Sequence, residues 1–371
     1  MDAKDDLILG VLGGTWVGPG SYPGIEAYVE SIKRSGFSGR KIMLCWEIRP
    51  EVRDKLLQYG FELVEQPHPC DPFFHARMRV CDQYLENHYK EFRYIFWLDI
   101  KDLVLQSNPS VWIEQNIGEH SIVASTEPVP INTEETNWLW ARSILGEHKA
   151  SEIEDRLVIN GGAIAGKAEE MAAFFHQTHL LCYPYGGPYP PCQISMNYVL
   201  YTMFNSGLYT PSWSEGFAAC LHPCWSPWRT PCWPHMKDPH PVLELSTCTL
   251  HAGTVPNPSN KMIVFNPHWG TNRRIKIENA THPLEGLECV DNPTGKAFCI
   301  VHGYDRDWDV KSLFDFKYRY SGGFNLDLYK EWNSETSPLQ TTVQRGLRSL
   351  RRERAISGSK LPHEGRVFKR H

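Results

Sequence analysis

At 371 residues, 41% hydrophobic and 22% charged, the chain has the composition of a globular protein that can bury one large core or two modest ones. Its formal net charge of -5 argues against a general nucleic-acid binder, which needs a basic surface to neutralise phosphates. The opening MDAKDDLILGVLGG lacks the basic stretch of a signal peptide, no run reaches the ~20 apolar residues of a membrane span, and the 11 cysteines read as reduced thiols. The expectation is a cytoplasmic protein with no transmembrane segment.

Residues 7 to 14, LILGVLGG, read as a first strand entering a glycine-rich turn that runs on through Thr15, Gly18, Pro19 and Gly20. Glycine lets a backbone approach a ligand closely, but no G-x-G-x-x-G fingerprint is present, so a nucleotide loop and a plain turn both stay open. Ile25 to Ser35 has helical spacing, Lys41 to Trp46 reads as a strand, Pro50 to Tyr59 as a helix and Phe61 to Val64 as a strand. This alternation predicts a parallel sheet with crossover helices. The next helix spans Arg77 to Tyr89, with Met78, Cys81, Tyr84 and Leu85 inward. Arg77 and Arg79 would sit in its first turn, where a cation gains nothing from the helix dipole; a phosphate-facing role and simple solvation are the two readings.

The most informative stretch is RYIFWLDIKDLVLQSNPSVW, residues 93 to 112. A continuous apolar run from Tyr94 to Leu98 suggests a strand buried on both faces. It ends on Asp99, and Asp102 follows. Carboxylates at the C-terminal end of a strand lie where open α/β sheets place their ligand crevice, and hard divalent cations prefer such oxygens. A solvated acidic turn is the plain alternative.

Further on, Ser121 to Ser125 reads as a strand ending at Glu127, and Asn137 to Gly146 as a helix. Residues Leu157 to Gly166 form a strand interrupted at Asn160-Gly161-Gly162, glycines that imply a close approach to the backbone. Lys167 to Leu181 and Gln193 to Phe204 are helical, around a Pro/Gly/Tyr loop at 184 to 191. Residues 220 to 240 gather Cys220, His222, Cys224, Cys232, His235 and His240 at irregular spacing, which favours a packed aromatic loop over a zinc site. Short strands follow at Met262 to Phe265, Ile275 to Ile277 and Ala297 to Val301, the last ending at His302. The tail from Thr341 carries nine Lys/Arg against Glu353 and Glu364: a solvated or disordered extension, with contact to an anionic surface or partner as the sharper reading.

Three separated segments, FWLDIKDLVLQSNP, VINGGAIAG and IVHGYDRDW, together resemble nucleotide-sugar-dependent glycosyltransferases of the GT-A fold, in the branch of glycogenin, bacterial galactosyltransferases and related algal-virus and microbial sugar transferases. The resemblance implies a Rossmann-like α/β fold: a mixed, mainly parallel sheet flanked by helices, in one catalytic domain over 1–310. Residues 311–371 would be an extension, first helical and then a flexible basic tail. It implies Mn²⁺ or Mg²⁺ held by Asp99, Asp102 and His302, with a nucleotide-sugar donor, UDP-linked by family likeness. Here the acids stand as D-x-x-D, one residue longer than the usual motif, which leaves open which acid binds directly. Asn160, Gly161 and Gly162 match the segment that holds the sugar ring, and Gln193 and Asn197 the end of a D-Q-x-x-x-N segment, with Gln193 near the anomeric carbon.

Cys192 stands where that segment has an acid, a departure that bears on the identity of the sugar. Arg77 matches an arginine near the donor, Val11, Gly13, Gly14 and Thr15 the first nucleotide-binding loop, and Asp305 and Arg306 continue the histidine motif. Asp102, Gln193 and Asn160 would carry catalysis, with retention by front-face displacement onto a hydroxyl of a glycan or small acceptor. A nucleotidyltransferase acting on sugar phosphates, or a non-catalytic sugar or nucleotide binder of the same fold, are the alternatives.

Overall fold

The computed structural model describes residues 2–13, 22–68, 73–133, 135–186, 191–211, 217–220, 298–304, 314 and 318, all inside one compact unit, Met1–Gly323. Gly14, Thr15, the strands expected at 262–265 and 275–277, most of the Cys/His-rich stretch, Asp305, Arg306 and the basic tail lie outside the described residues.

The chain alternates as expected: β1 (Leu7–Gly13), α1 (Tyr22–Arg34), β2 (Arg40–Trp46), α2 (Pro50–Gln58), β3 (Glu62–Glu65), α3 (Phe73–His88) and β4 (Tyr94–Leu98). There follow β5 (Leu103–Leu105), α4 (Pro109–Asn116), β6 (Ile122–Pro130), α5 (Glu135–Ser151), β7 (Leu157–Lys167), α6 (Ala168–Cys182), α7 (Cys192–Thr202), β8 (Leu208–Tyr209), β9 (Ala218–Cys220) and β10 (Ile300–His302). Seven strands form one sheet in the order β3-β2-β1-β4-β7-β6-β8, in which β7 alone runs against its neighbours. This is the mixed, mainly parallel Rossmann-like sheet flanked by helices that the GT-A resemblance implied. A second sheet, β5-β10-β9, pairs β10 antiparallel with β5 and parallel with β9.

The unbroken apolar runs are explained by burial on both faces. Along β1 and β4, Leu7, Leu9, Val11, Ile95 and Trp97 face one core with α3, α6 and α7. Ile8, Leu12, Phe96 and Leu98 face the other, with α1, α2 and α4. Pro50 opens α2 at a position where its missing N–H costs nothing, and the Asn108 side chain caps α4 by accepting from the Ser110 N–H at 3.0 Å.

Three local expectations are corrected. The helix carrying Arg77 begins at Phe73, so Arg77 lies in its second turn and the dipole argument does not apply to it. The strand around Asn160 is continuous through Gly161 and Gly162, where the Trp97 indole, the Asn160 side chain and the Asp99 N–H bond to the glycine backbone. Glu127 does not end its strand, which runs on to Pro130. The short strands β5, β8 and β9 and helix α4 were too short to show a period.

The entrance to β1 is fixed by charge. The Asp6 carboxylate, fully buried, accepts from Arg93 Nε at 2.8 Å and Nη2 at 3.0 Å, while its backbone oxygen accepts from the Arg40 N–H at 2.8 Å. Such forked pairing ties β1 to β4 at the end of the sheet remote from the carboxylate pair. Arg93→Ala leaves that carboxylate buried without its partner, and urea denaturation is expected to show a loss of about 3 kcal/mol; Asp6→Asn, which removes the charge as well, loses less.

Candidate functional site

Asp99 follows the last residue of β4, and Asp102 directly precedes β5. The register of the second sheet sets His302 opposite Leu103, so the far-downstream β10 delivers its terminal imidazole beside the acid pair. The junction is locked by backbone bonds: the N–H groups of Gly303 and Tyr304 both donate to the Asp102 carbonyl, at 2.7 and 3.2 Å. His302 Nε2 then lies 3.3 Å from Asp102 Oδ1 and 3.5 Å from Asp99 Oδ2. One ligand atom from each of the three residues falls within 4.8 Å of the others, the one such group of His, Cys, Asp or Glu among the described residues.

These residues fit a small divalent cation. Adjacent ligands of an octahedral ion bound at ~2.1 Å are about 3 Å apart, near the 3.3 and 3.5 Å carboxylate–imidazole separations. Two carboxylate oxygens with an imidazole form a ligand set without sulfur, which suits a hard or borderline divalent cation better than a soft metal. The backbone has also made room for them: a Cβ on Gly162 would run into His302 Nε2 and Cε1 and come within 2.8 Å of Asp99 Oδ2. Glycine here answers a close approach of side chains.

Arg77, on α3, approaches from the other side. Its guanidinium lies over the rings of Trp97 and Phe74 at 5.5 and 5.6 Å, and its Nη1 is 3.2 Å from Asp99 Oδ1. Burial works to raise the Asp99 carboxyl, but Arg77 and His302 outweigh both burial and the like charge of Asp102 and hold it below the usual carboxylate range. The anionic form is therefore the one the protein favours. Burial pushes the Cys192 thiol up, against the pull of Arg77, which favours the neutral thiol at this position.

Strand β7 supplies the remaining residues. The Trp97 indole donates to the Gly161 carbonyl at 2.9 Å, and the Asp99 N–H donates to the Gly162 carbonyl at 2.9 Å. Asn160, 2% exposed, accepts from the Gly162 N–H at 2.9 Å and donates to Glu127 Oε1 at 2.7 Å. Gln193, at the start of α7, donates to Asn137 Oδ1 at 2.9 Å, and its Cα lies 3.8 Å from the place a Gly161 Cβ would take. Asn197 brackets the Ile159 backbone, accepting from its N–H at 2.6 Å and donating to its carbonyl at 2.8 Å, so it clamps α7 to β7.

No family model matches the chain, and no curated protein matches it. Among solved structures it is similar to the glycosyltransferase GlyE of Streptococcus pneumoniae TIGR4, at 14% identity over 55% of this chain, with a TM-score of 0.35. The match spans 44% of that protein, less than half its length. A likeness of this degree carries no argument about activity. The local geometry has to carry it.

Asp99, Asp102, His302, Arg77, Asn160, Gly161, Gly162 and Gln193 thus belong to one connected neighbourhood. Val11 does not share it through its side chain, which is buried in the core with α3 and α6. Gly13 ends β1 against the Trp46 ring, and a Cβ there would overlap that ring. Glu127 and Asn137 were not singled out as site residues; nothing in their spacing pairs them with Asn160 or Gln193, and only the packing of β6 and α5 does so.

Replacing Gly162 by Ala should force His302 and Asp99 apart and weaken Mn²⁺ binding by ~10–100-fold, read from the free-Mn²⁺ electron paramagnetic resonance signal. Gly161→Ala, whose Cβ meets the flexible Met196 thioether at 3.2 Å, should weaken it less.

Proposed function

We propose that this chain is a metal-dependent glycosyltransferase that moves a sugar from a nucleotide-sugar donor, UDP-linked by family likeness, to a hydroxyl of a glycan or small acceptor, with retention. The observation that supports this reading best is the meeting of Asp99, Asp102 and His302 beside the Asn160-Gly161-Gly162 segment and Arg77. Fold alone would not support it, because one architecture hosts many chemistries.

In this reading Asp99, Asp102 and His302 hold Mn²⁺ or Mg²⁺, which when bound supplies electrostatic stabilisation to the diphosphate leaving group. Arg77 adds a fixed positive charge from a buried position, where its field is weakly screened. Asn160 and the backbone at Gly161 and Gly162 orient the donor sugar. Gln193, whose Nε2 donates to Asn137, would lie near the anomeric centre. The acceptor hydroxyl attacks on the face the leaving group departs from and gives its proton to the leaving phosphate, so the protein's part is positioning and charge stabilisation. The neutral Cys192 thiol beside Arg77 removes one acceptor for sugar hydroxyls and so bears on which sugar is taken.

The decisive experiment is donor hydrolysis across a panel of nucleotide sugars with Mn²⁺ or EDTA. Turnover that depends on Mn²⁺ is expected, with Asp102→Asn and His302→Ala each lowering it by about 100-fold while far-UV circular dichroism stays unchanged. Wild-type rates in both variants would sink the metal assignment. Binding of Mn²⁺ and nucleotide with no hydrolysis of any donor would identify a non-catalytic binder, and pyrophosphate release from a nucleoside triphosphate and a sugar phosphate would identify a nucleotidyltransferase.

A further inference from the structure

Glu127 on β6 is a carboxylate, 3% exposed, that the chemistry above does not use. Its Oε1 receives the Asn160 Nδ2–H at 2.7 Å, and the other end of the same carboxamide receives the Gly162 N–H at 2.9 Å. The two ends of an asparagine amide are nearly the same shape, so only hydrogen bonding decides which way it faces. A carboxylate accepts and does not donate. Turned over, the amide would set its oxygen against a carboxylate oxygen and its NH₂ against the Gly162 N–H, two repulsive contacts in a buried place.

The orientation of Asn160 matters because of what Gly162 touches. Its N–H is held by Asn160 and its carbonyl by the Asp99 N–H, so the residue is pinned on both sides. A Cβ on it would run into His302 Nε2 and crowd Asp99 Oδ2. A bond from β6 therefore reaches the three-residue cluster through one amide and one glycine. We infer that Glu127 is a positioning residue: by selecting one orientation of the Asn160 carboxamide it sets the place of Gly162, and through it the separation of His302 and Asp99 on which cation affinity depends. The inference rests on Asp99, Asp102 and His302 being a cation site, and it is independent of what the site then does with a sugar.

The test uses the full chain, Mn²⁺ alone as probe, free Mn²⁺ read by electron paramagnetic resonance, and a thermal melt on each sample. Glu127→Ala is expected to weaken Mn²⁺ binding by ~10–100-fold at a temperature where the melt shows the chain fully folded, the usual effect of losing a supporting partner. Glu127→Gln, which can turn its own amide to offer an oxygen, should stay within about threefold of wild type. Asn160→Asp sets two carboxylates face to face and should weaken binding. The double variant E127Q/N160D should recover it, because the new amide donates to the new carboxylate, which still accepts from Gly162.

Unchanged Mn²⁺ affinity in Glu127→Ala overturns the inference, as does a double variant no better than N160D, or a wild-type chain that takes up no Mn²⁺. Should Glu127→Ala fail to fold, recovery by the double variant still decides. A wild-type chain that binds Mn²⁺ but hydrolyses no nucleotide sugar refutes glycosyl transfer and leaves the Glu127 comparison standing.

Discussion

The pairing of β10 with β5 is the constraint on which the site depends. Three residues on each strand meet in antiparallel register, His302 opposite Leu103, and the two N–H groups after β10 close onto the Asp102 carbonyl. Without that ladder the acid pair would be two carboxylates on a turn, and His302 would be an imidazole far along the chain. The cost of bringing distant segments together rises only slowly with the length between them, so a long connection is tolerated provided a short stretch of backbone can pair. Strand β5 provides it, flanked by β10 and fully buried.

Around this junction the sheet performs a second task. Strand β7 runs against its neighbours, which lets Gly162 stand opposite Asp99 just beyond the end of β4, where the Asp99 N–H closes on the Gly162 carbonyl. Two strands thus approach with almost no side chain between them, and the space goes to His302 and the Asp99 carboxylate. Charge is arranged with the same economy. Arg77 and His302 keep Asp99 anionic against burial and against Asp102, so the cluster keeps negative charge at this carboxylate.

Much of the fold was legible because local pattern and burial agree. The runs at Leu7–Gly13, Arg40–Trp46 and Tyr94–Leu98 are apolar without alternation because helices cover both faces of the sheet, and that is visible in the residues themselves. Where local signal is short or mixed, the reading failed: the start of the helix carrying Arg77, the true length of the strand past Glu127, and the short strands β5, β8 and β9. The continuity of β7 through two glycines was hidden for a different reason, since its stabilising bonds come from Trp97, Asp99 and Asn160 rather than from propensity.

The amino-acid sequence by itself determined the class of this protein, a parallel-type α/β sheet with two carboxylates at the exit of a central strand, because hydrophobic period and strand-end chemistry are local properties. Local pattern carries no record of which distant groups those carboxylates meet: the resemblance named His302 and Arg77, the structure shows how each arrives, and Glu127 came from the structure alone. His302 comes by backbone pairing, Arg77 by the packing of α3 across Trp97, and Glu127 by the shared face of β6 and β7 with Asn160 between. Hydrogen bonds and ion pairs between such residues depend on ångström-scale placement of separate elements, and spacing along the chain carries no record of it.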